Sequence, residues 1–171
     1  MEEKNYKEKL KDITTFIFDV DGVFTNTQVF VNNDGDLLRS MNMKDGFALK
    51  TAVAKGYTIC IITGGGNVGV QKRFENLGVT DIFMLRHEKL ETFLEYQKSK
   101  GLKMEQILYM GDDIPDIPPM KHSGLATCPQ DAVPEVKAVA HYISHRDGGQ
   151  GAVRDVIEQV LKVRGDWFDF N

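Results

Sequence analysis

Cysteine is nearly absent from this chain: Cys60 and Cys128 are the only two in 171 residues. Two isolated cysteines make neither a zinc-binding spacing nor the disulfide framework of a small secreted domain, so both read as small buried hydrophobes. Long apolar runs are also missing, and none approaches the length that spans a bilayer. The stretch MEEKNYKEKLKD is charged and has none of the apolar core of a signal peptide. Positive charge is not in excess either, since 21 Lys and Arg stand against 25 Asp and Glu for a net charge of −4. Such a chain offers no basic field to nucleic acid or to an anionic membrane surface. Internal repeats, low-complexity segments and Pro/Ser-rich linkers do not occur. The expectation is a cytoplasmic enzyme or binding protein whose residues 1–171 form one domain with a real hydrophobic core.

What the chain does have is alternation. Short apolar runs, TTFIFDV, YTICIIT, DIFML, QILYMGD, GLATC and AHYIS, read as strands. Between them, DGFALKTAVAKG, NVGVQKRFENLG and HEKLETFLEYQKSKG read as helices closed by glycine, DIPDIPPMKHSG as a short helix begun by proline, and GAVRDVIEQVLKVRG as a closing amphipathic helix. Strands that are apolar throughout are buried on both faces. The pattern therefore predicts an α/β fold, a Rossmann-like three-layer sandwich with a central parallel sheet. One segment breaks the rhythm. TQVFVNNDGDLLRSMNM, about residues 27–43, carries two strand-like runs around NNDGD and predicts a β-hairpin.

In an open α/β sheet, ligands bind beyond the carboxyl ends of the strands. Four such places carry polar residues here: Asp19 and Asp21 after the first strand, Thr63 with Gly64, Gly65 and Gly66 after the second, Lys89 at a helix start, and Asp112 and Asp113 with Asp116 after ILYMG. Each string alone is a weak signal; the four in this order are specific. Paired carboxylates at the edge of a core cost several kcal/mol unless a cation neutralises them. Mg²⁺ answers that need, because it takes oxygen ligands together with substrate phosphate. A hydroxyl, the N–H groups of a Gly-rich turn and one lysine suit the remaining phosphate oxygens. A carboxylate beside that phosphorus can attack it, and a second one two residues on can protonate the leaving alcohol and then activate water.

These residues resemble the haloacid dehalogenase superfamily of phosphatases over about residues 13 to 165. The resemblance implies Asp19 of DVDGV as nucleophile, Asp21 as general acid/base, and Thr63, Gly64 and Lys89 as phosphate-binding groups. It also implies Mg²⁺ held by Asp19, by the backbone carbonyl of Asp21 and by Asp112, with Asp113 and Asp116 supporting it from behind. The segments between Asp19 and Thr63, and between Lys89 and Asp112, are too short for a separate cap domain. That arrangement, together with MKDGFALKTAVAKG and GGQGAVRDVIEQVL, is similar to the 3-deoxy-D-manno-octulosonate 8-phosphate (KDO 8-phosphate) phosphatases of lipopolysaccharide synthesis. Those enzymes assemble through hairpins, which implies a homotetramer here. The chain departs from that subfamily where an arginine usually follows the Thr-Gly of the second motif. Gly65, Gly66 and Asn67 occupy those positions. Lys72, Arg73, Arg86 and His87 are the candidates to supply the missing charge for a sugar-acid carboxylate.

Two other readings compete. Nonulosonate 9-phosphate phosphatases share the reaction and the hairpin. A phospho-receiver signalling domain also gathers acidic residues, a Thr or Ser and a lysine around Mg²⁺, but it lacks the acid/base of a DxD pair. His141 and His145 read as structural or surface residues. The tail RGDWFDFN, with Trp167, Phe168 and Phe170, packs either on a neighbouring subunit or on its own core.

Overall fold

A computed structural model describes residues 5–168. Strands β1 (Thr15–Phe18), β4 (Thr58–Ile62), β5 (Asp81–Phe83), β6 (Ile107–Met110), β7 (Leu125–Cys128) and β8 (Tyr142–Ile143) form a parallel sheet in the order β5-β4-β1-β6-β7-β8. Every residue of β1, β6 and β7 is buried, which explains their uninterrupted apolar spelling. Alternate side chains point to opposite faces. Phe16, Phe18, Ile59, Ile61, Leu108 and Met110 pack on one side with helices α2 (Met43–Ala54), α3 (Val68–Asn76) and α7 (Ala152–Val163). Ile17, Cys60, Ile62, Tyr109 and Cys128 pack on the other with α4 (Lys89–Lys100), α5 (Ile117–His122) and α6 (Pro134–Lys137). Both cysteines are buried and unbridged, as hydrophobes should be.

Helix α7 shows how the sequence dictates the packing. Val153, Val156, Ile157, Val160 and Leu161 recur at helical spacing, and all are buried. Its first turn is capped from another helix: the buried carboxylate of Asp45 on α2 accepts the Arg154 N–H at 2.8 Å. Thus the two motifs MKDGF and GGQGAVR meet in space.

The rest differs from the sequence reading in detail. The N-terminal segment contributes a short helix, α1 (Tyr6–Lys9), and a 3-10 turn (Leu10–Asp12) that buries Leu10. Helix α6 had no signal beyond Pro134, and the proline-led segment splits into a 3-10 turn (Ile114–Asp116) followed by α5. The hairpin pairs only Phe30–Val31 (β2) with Leu37–Leu38 (β3), and Met43 already belongs to α2. Asn32 closes its turn by accepting the N–H groups of Asp34 and Asp36. It forms a two-stranded sheet of its own, and its apolar side chains stay open: Phe30 is 73% and Val31 66% exposed. Trp167 and Phe168 settle on their own chain, both ringed around Phe47, with Arg154 over the indole. Phe170 lies outside the described residues.

Candidate active site

The chain runs β1-β4-β5 to one edge and then crosses back to β6 beside β1. That reversal opens a crevice at the carboxyl ends of the central strands, where such sheets bind ligands. An open cleft of about 440 Å³ lies there, lined by Asp19, Asp21, Thr63, Gly64, Lys89, Asp112, Asp113 and Asp116 among others. All four predicted motifs therefore converge on one cavity. Arg86 and His87, just past β5, also line it, and neither side chain bonds to another described group. Lys72 and Arg73 do not line it. Lys72 is exposed on α3, and Arg73 turns away to α2, where its guanidinium needs the missing side chain of Gly46. Helix α3 points that face away from the cleft of its own chain.

Lys89 is the hub. It is the first residue of α4 and 7% exposed, and its Nζ lies 3.0 Å from Asp19 Oδ1 and 2.8 Å from Asp116 Oδ1. Burial pulls its pKa down, but Asp19 and Asp116 outweigh burial, so Lys89 is held charged. Asp116 is saturated by four donors: Lys89, the Tyr109 hydroxyl at 2.8 Å, and the backbone N–H groups of Asp112 and Asp113. It thus braces the strand end from behind. Asp113 does not. It is exposed, and its carboxylate accepts the Ile114 N–H at 2.8 Å, capping the 3-10 turn instead of backing the cluster.

Asp19 and Asp112 are left with too much negative charge. Burial first, then Asp116, raises the Asp19 pKa to about 7, against the opposing pull of Lys89. Burial, then Asp19 and Asp116, raises Asp112 to about 8. Asp112 Oδ1 is buried with no hydrogen-bond partner among the described residues. Oxygens of Asp19, Asp112 and Asp116 lie within 4.8 Å of one another. An orphaned carboxylate oxygen in an all-oxygen cluster fits a hard divalent cation, which would return both groups to their ionised form. Gly22 makes this close approach possible, since its φ is +86° and a Cβ there would lie 1.9 Å from Asp112 Oδ2.

Thr63 follows β4 and is buried; its hydroxyl accepts the Gly65 N–H at 3.1 Å, which shapes the glycine turn. Asp21 is not bonded to Lys89. Its two oxygens accept a fork of bonds from Arg39, at 2.6 and 3.0 Å. Sequence reasoning passed over Arg39, although it is the sole basic residue of the hairpin segment. The gap at Gly65 was its only signal. Tyr109 was likewise missed, hidden inside a strand that read only as apolar.

A parallel sheet with this cleft, a DxD pair after its first strand and a lysine bridging Asp19 to Asp116 defines a haloacid dehalogenase-like hydrolase, and the chain belongs to that family. A family model of that description matches residues 78–157. Within the family the chain is 32% identical to 3-deoxy-D-manno-octulosonate 8-phosphate phosphatase of Salmonella typhi, over 92% of this chain and 84% of that protein. The crystal structure of the Yersinia pestis phosphatase of the same name has a TM-score of 0.92 at 30% identity, covering 95% of this chain and 88% of that one. The Moraxella catarrhalis phosphatase, solved with magnesium, phosphate and KDO, has a TM-score of 0.89 at 31% identity, covering 92% and 90%.

Proposed function

We propose that this chain is a Mg²⁺-dependent phosphatase that hydrolyses KDO 8-phosphate to KDO and phosphate, in lipopolysaccharide synthesis, through an aspartyl-phosphate on Asp19. One observation carries the reading. The buried Asp19–Lys89–Asp112 cluster sits in an open cleft, in a chain whose fold matches a phosphatase solved with magnesium, phosphate and KDO. Asp19, Asp112 and the backbone carbonyl of Asp21 would hold the ion, which supplies charge neutralisation at the phosphoryl oxygens. Lys89 aims Asp19 through the 3.0 Å contact, Asp19 regains its charge with the ion bound, and Lys89 with Thr63 and the Gly64 N–H binds the phosphate. Asp21 gives its proton to the leaving oxygen and later takes one from the attacking water. Asp116 fixes Lys89. Arg86 and His87, unpaired at the rim, face the sugar acid, with Arg86 the group to meet its carboxylate.

No observation favours the nine-carbon substrate or a receiver domain. The exposed hairpin supports a homotetramer: Val29, Phe30, Val31, Leu37 and Leu38 are all exposed, an apolar surface that a second copy would cover. We place the enzyme in the cytoplasm, and no helix among the described residues is long and apolar enough to cross a membrane.

The test is phosphate release from KDO 8-phosphate and from a nonulosonate 9-phosphate, each with and without Mg²⁺. The expected result is metal-dependent preference for the eight-carbon ester, abolished in Asp19→Asn, whose amide is a poor nucleophile. Preference for the nine-carbon ester overturns the substrate. Substantial turnover by Asp19→Asn overturns the mechanism.

A further inference from the structure

The acid/base of this site is gripped by the hairpin. Asp21 is the more open carboxylate of the first pair, its side chain 40% exposed, and Arg39 alone among the described residues bonds it. Arg39 is itself fixed. Its side chain is 9% exposed, and Nη1 donates to the Leu37 carbonyl at 2.9 Å. The same carbonyl accepts from Asn67 Nδ2 at 3.1 Å, and Asn67 caps α3. The foot of the hairpin, the loop after β1 and the loop after β4 are thereby tied into one network. A Cβ built on Gly65 would lie 3.5 Å from Asp21 Oδ2 and 3.7 Å from Arg39 Nη2. The guanidinium therefore stands beside the very position where an arginine was expected.

We propose that Arg39 is the positioning residue of the acid/base, holding the Asp21 carboxyl in its working orientation; this rests on the aspartyl-phosphate reading above. An exposed carboxyl turns freely about χ1 and χ2, and a misplacement of about 1 Å can cost on the order of a hundredfold in rate. Two parallel bonds from a rigid fork fix both the direction and the plane of the group. In the first step an Asp19 oxygen bonds to phosphorus, the phosphorus–sugar oxygen bond breaks, and the proton on Asp21 passes to the leaving oxygen. In the second step Asp21 takes a proton from water, the water oxygen bonds to phosphorus, and the bond from phosphorus to Asp19 breaks. Arg39 serves both steps by holding both oxygens in place, while the second lone pair of one of them takes and gives up the proton.

The experiment compares the unaltered chain with Arg39→Met, Arg39→Lys and Asp21→Asn on KDO 8-phosphate and on p-nitrophenyl phosphate, whose leaving group departs without a proton. Arg39→Met is expected to lower kcat on the sugar phosphate by about 10- to 100-fold with KM nearly unchanged. On the aryl ester it should release a burst of about one nitrophenolate per site before a slow steady rate, because only the second step then needs Asp21. Arg39→Lys should recover part of kcat, and Asp21→Asn should show the same burst more strongly. Equal losses on both esters without a burst, in Arg39→Met and Arg39→Lys alike, would make Arg39 merely structural and overturn the proposal. A raised KM confined to the sugar acid would overturn it too, by making Arg39 a substrate ligand. If the unaltered chain turned over neither ester, the phosphatase reading would be refuted and this proposal would fall with it.

Discussion

Removing the divalent ion should make the stability of this protein depend steeply on pH, in the direction opposite to an ordinary paired carboxylate. Asp19 and Asp112 are 6% and 9% exposed and titrate at about 7 and about 8 without a cation, against 3.8 for a free side chain. A raised carboxyl pKa means that the folded state binds the proton more tightly than the unfolded chain. The stability this contributes is complete below about pH 3.8 and is lost as pH rises to about 7 for Asp19 and about 8 for Asp112. At about 1.4 kcal/mol for each pKa unit, Asp19 alone costs the metal-free fold on the order of 4 kcal/mol at the alkaline end, and Asp112 alone somewhat more. For a chain of this length that is a fall in Tm of roughly 10 °C. The assay is thermal unfolding of chelator-treated and Mg²⁺-saturated protein at intervals from about pH 5.5 to about pH 8.5, a range that spans both titrations. The metal-free Tm should fall across that range, and the gap between the two curves should widen. A metal-free Tm that is flat or rises would refute the charge accounting, and with it the case that these two carboxylates await a cation.

Two further outcomes are expected. Gly22→Ala would place a methyl group 1.9 Å from Asp112 Oδ2 on a backbone at φ +86°, so it should cost at least tenfold in Mg²⁺ affinity by calorimetric titration; unchanged affinity would show that Asp112 is not a ligand. Phe30→Glu, at the most exposed large apolar residue of the hairpin, should shift the light-scattering mass from tetramer to a smaller species; an unshifted mass would place any assembly elsewhere.

The fold was legible because its signal is repetitive. Strands buried on both faces leave apolar runs, and the glycines at 56, 78, 101 and 165 mark helix ends with positive φ. The central charges were legible because each stands at a strand end or helix start, where the fold's geometry delivers it to one place. Arg39 was not, since only tertiary folding carries the foot of the hairpin to within 2.6 Å of Asp21. Arg73 misled for the converse reason: its sequence position suited the cleft, but the missing side chain of Gly46 gave its guanidinium a seat elsewhere. Asp113 shows the limit of reading a GDD string. Neighbours in a chain point in different directions at a strand end, so one carboxylate is buried in the cluster while the next, at the exposed side of the cleft, caps a turn.

The pairing of β1 with β6 also sets a schedule. The Asp19 N–H is bonded to the Met110 carbonyl at 3.0 Å, and Asp112 follows two residues later on the same strand end. The proposed nucleophile is thus made well before β6, yet its register is set by that later strand. Until that distant segment docks, Asp19 is an unremarkable carboxylate on a half-built sheet. Such long-range closure is a slow part of folding, and here it makes the catalytic centre one of the last features of the protein to come into existence.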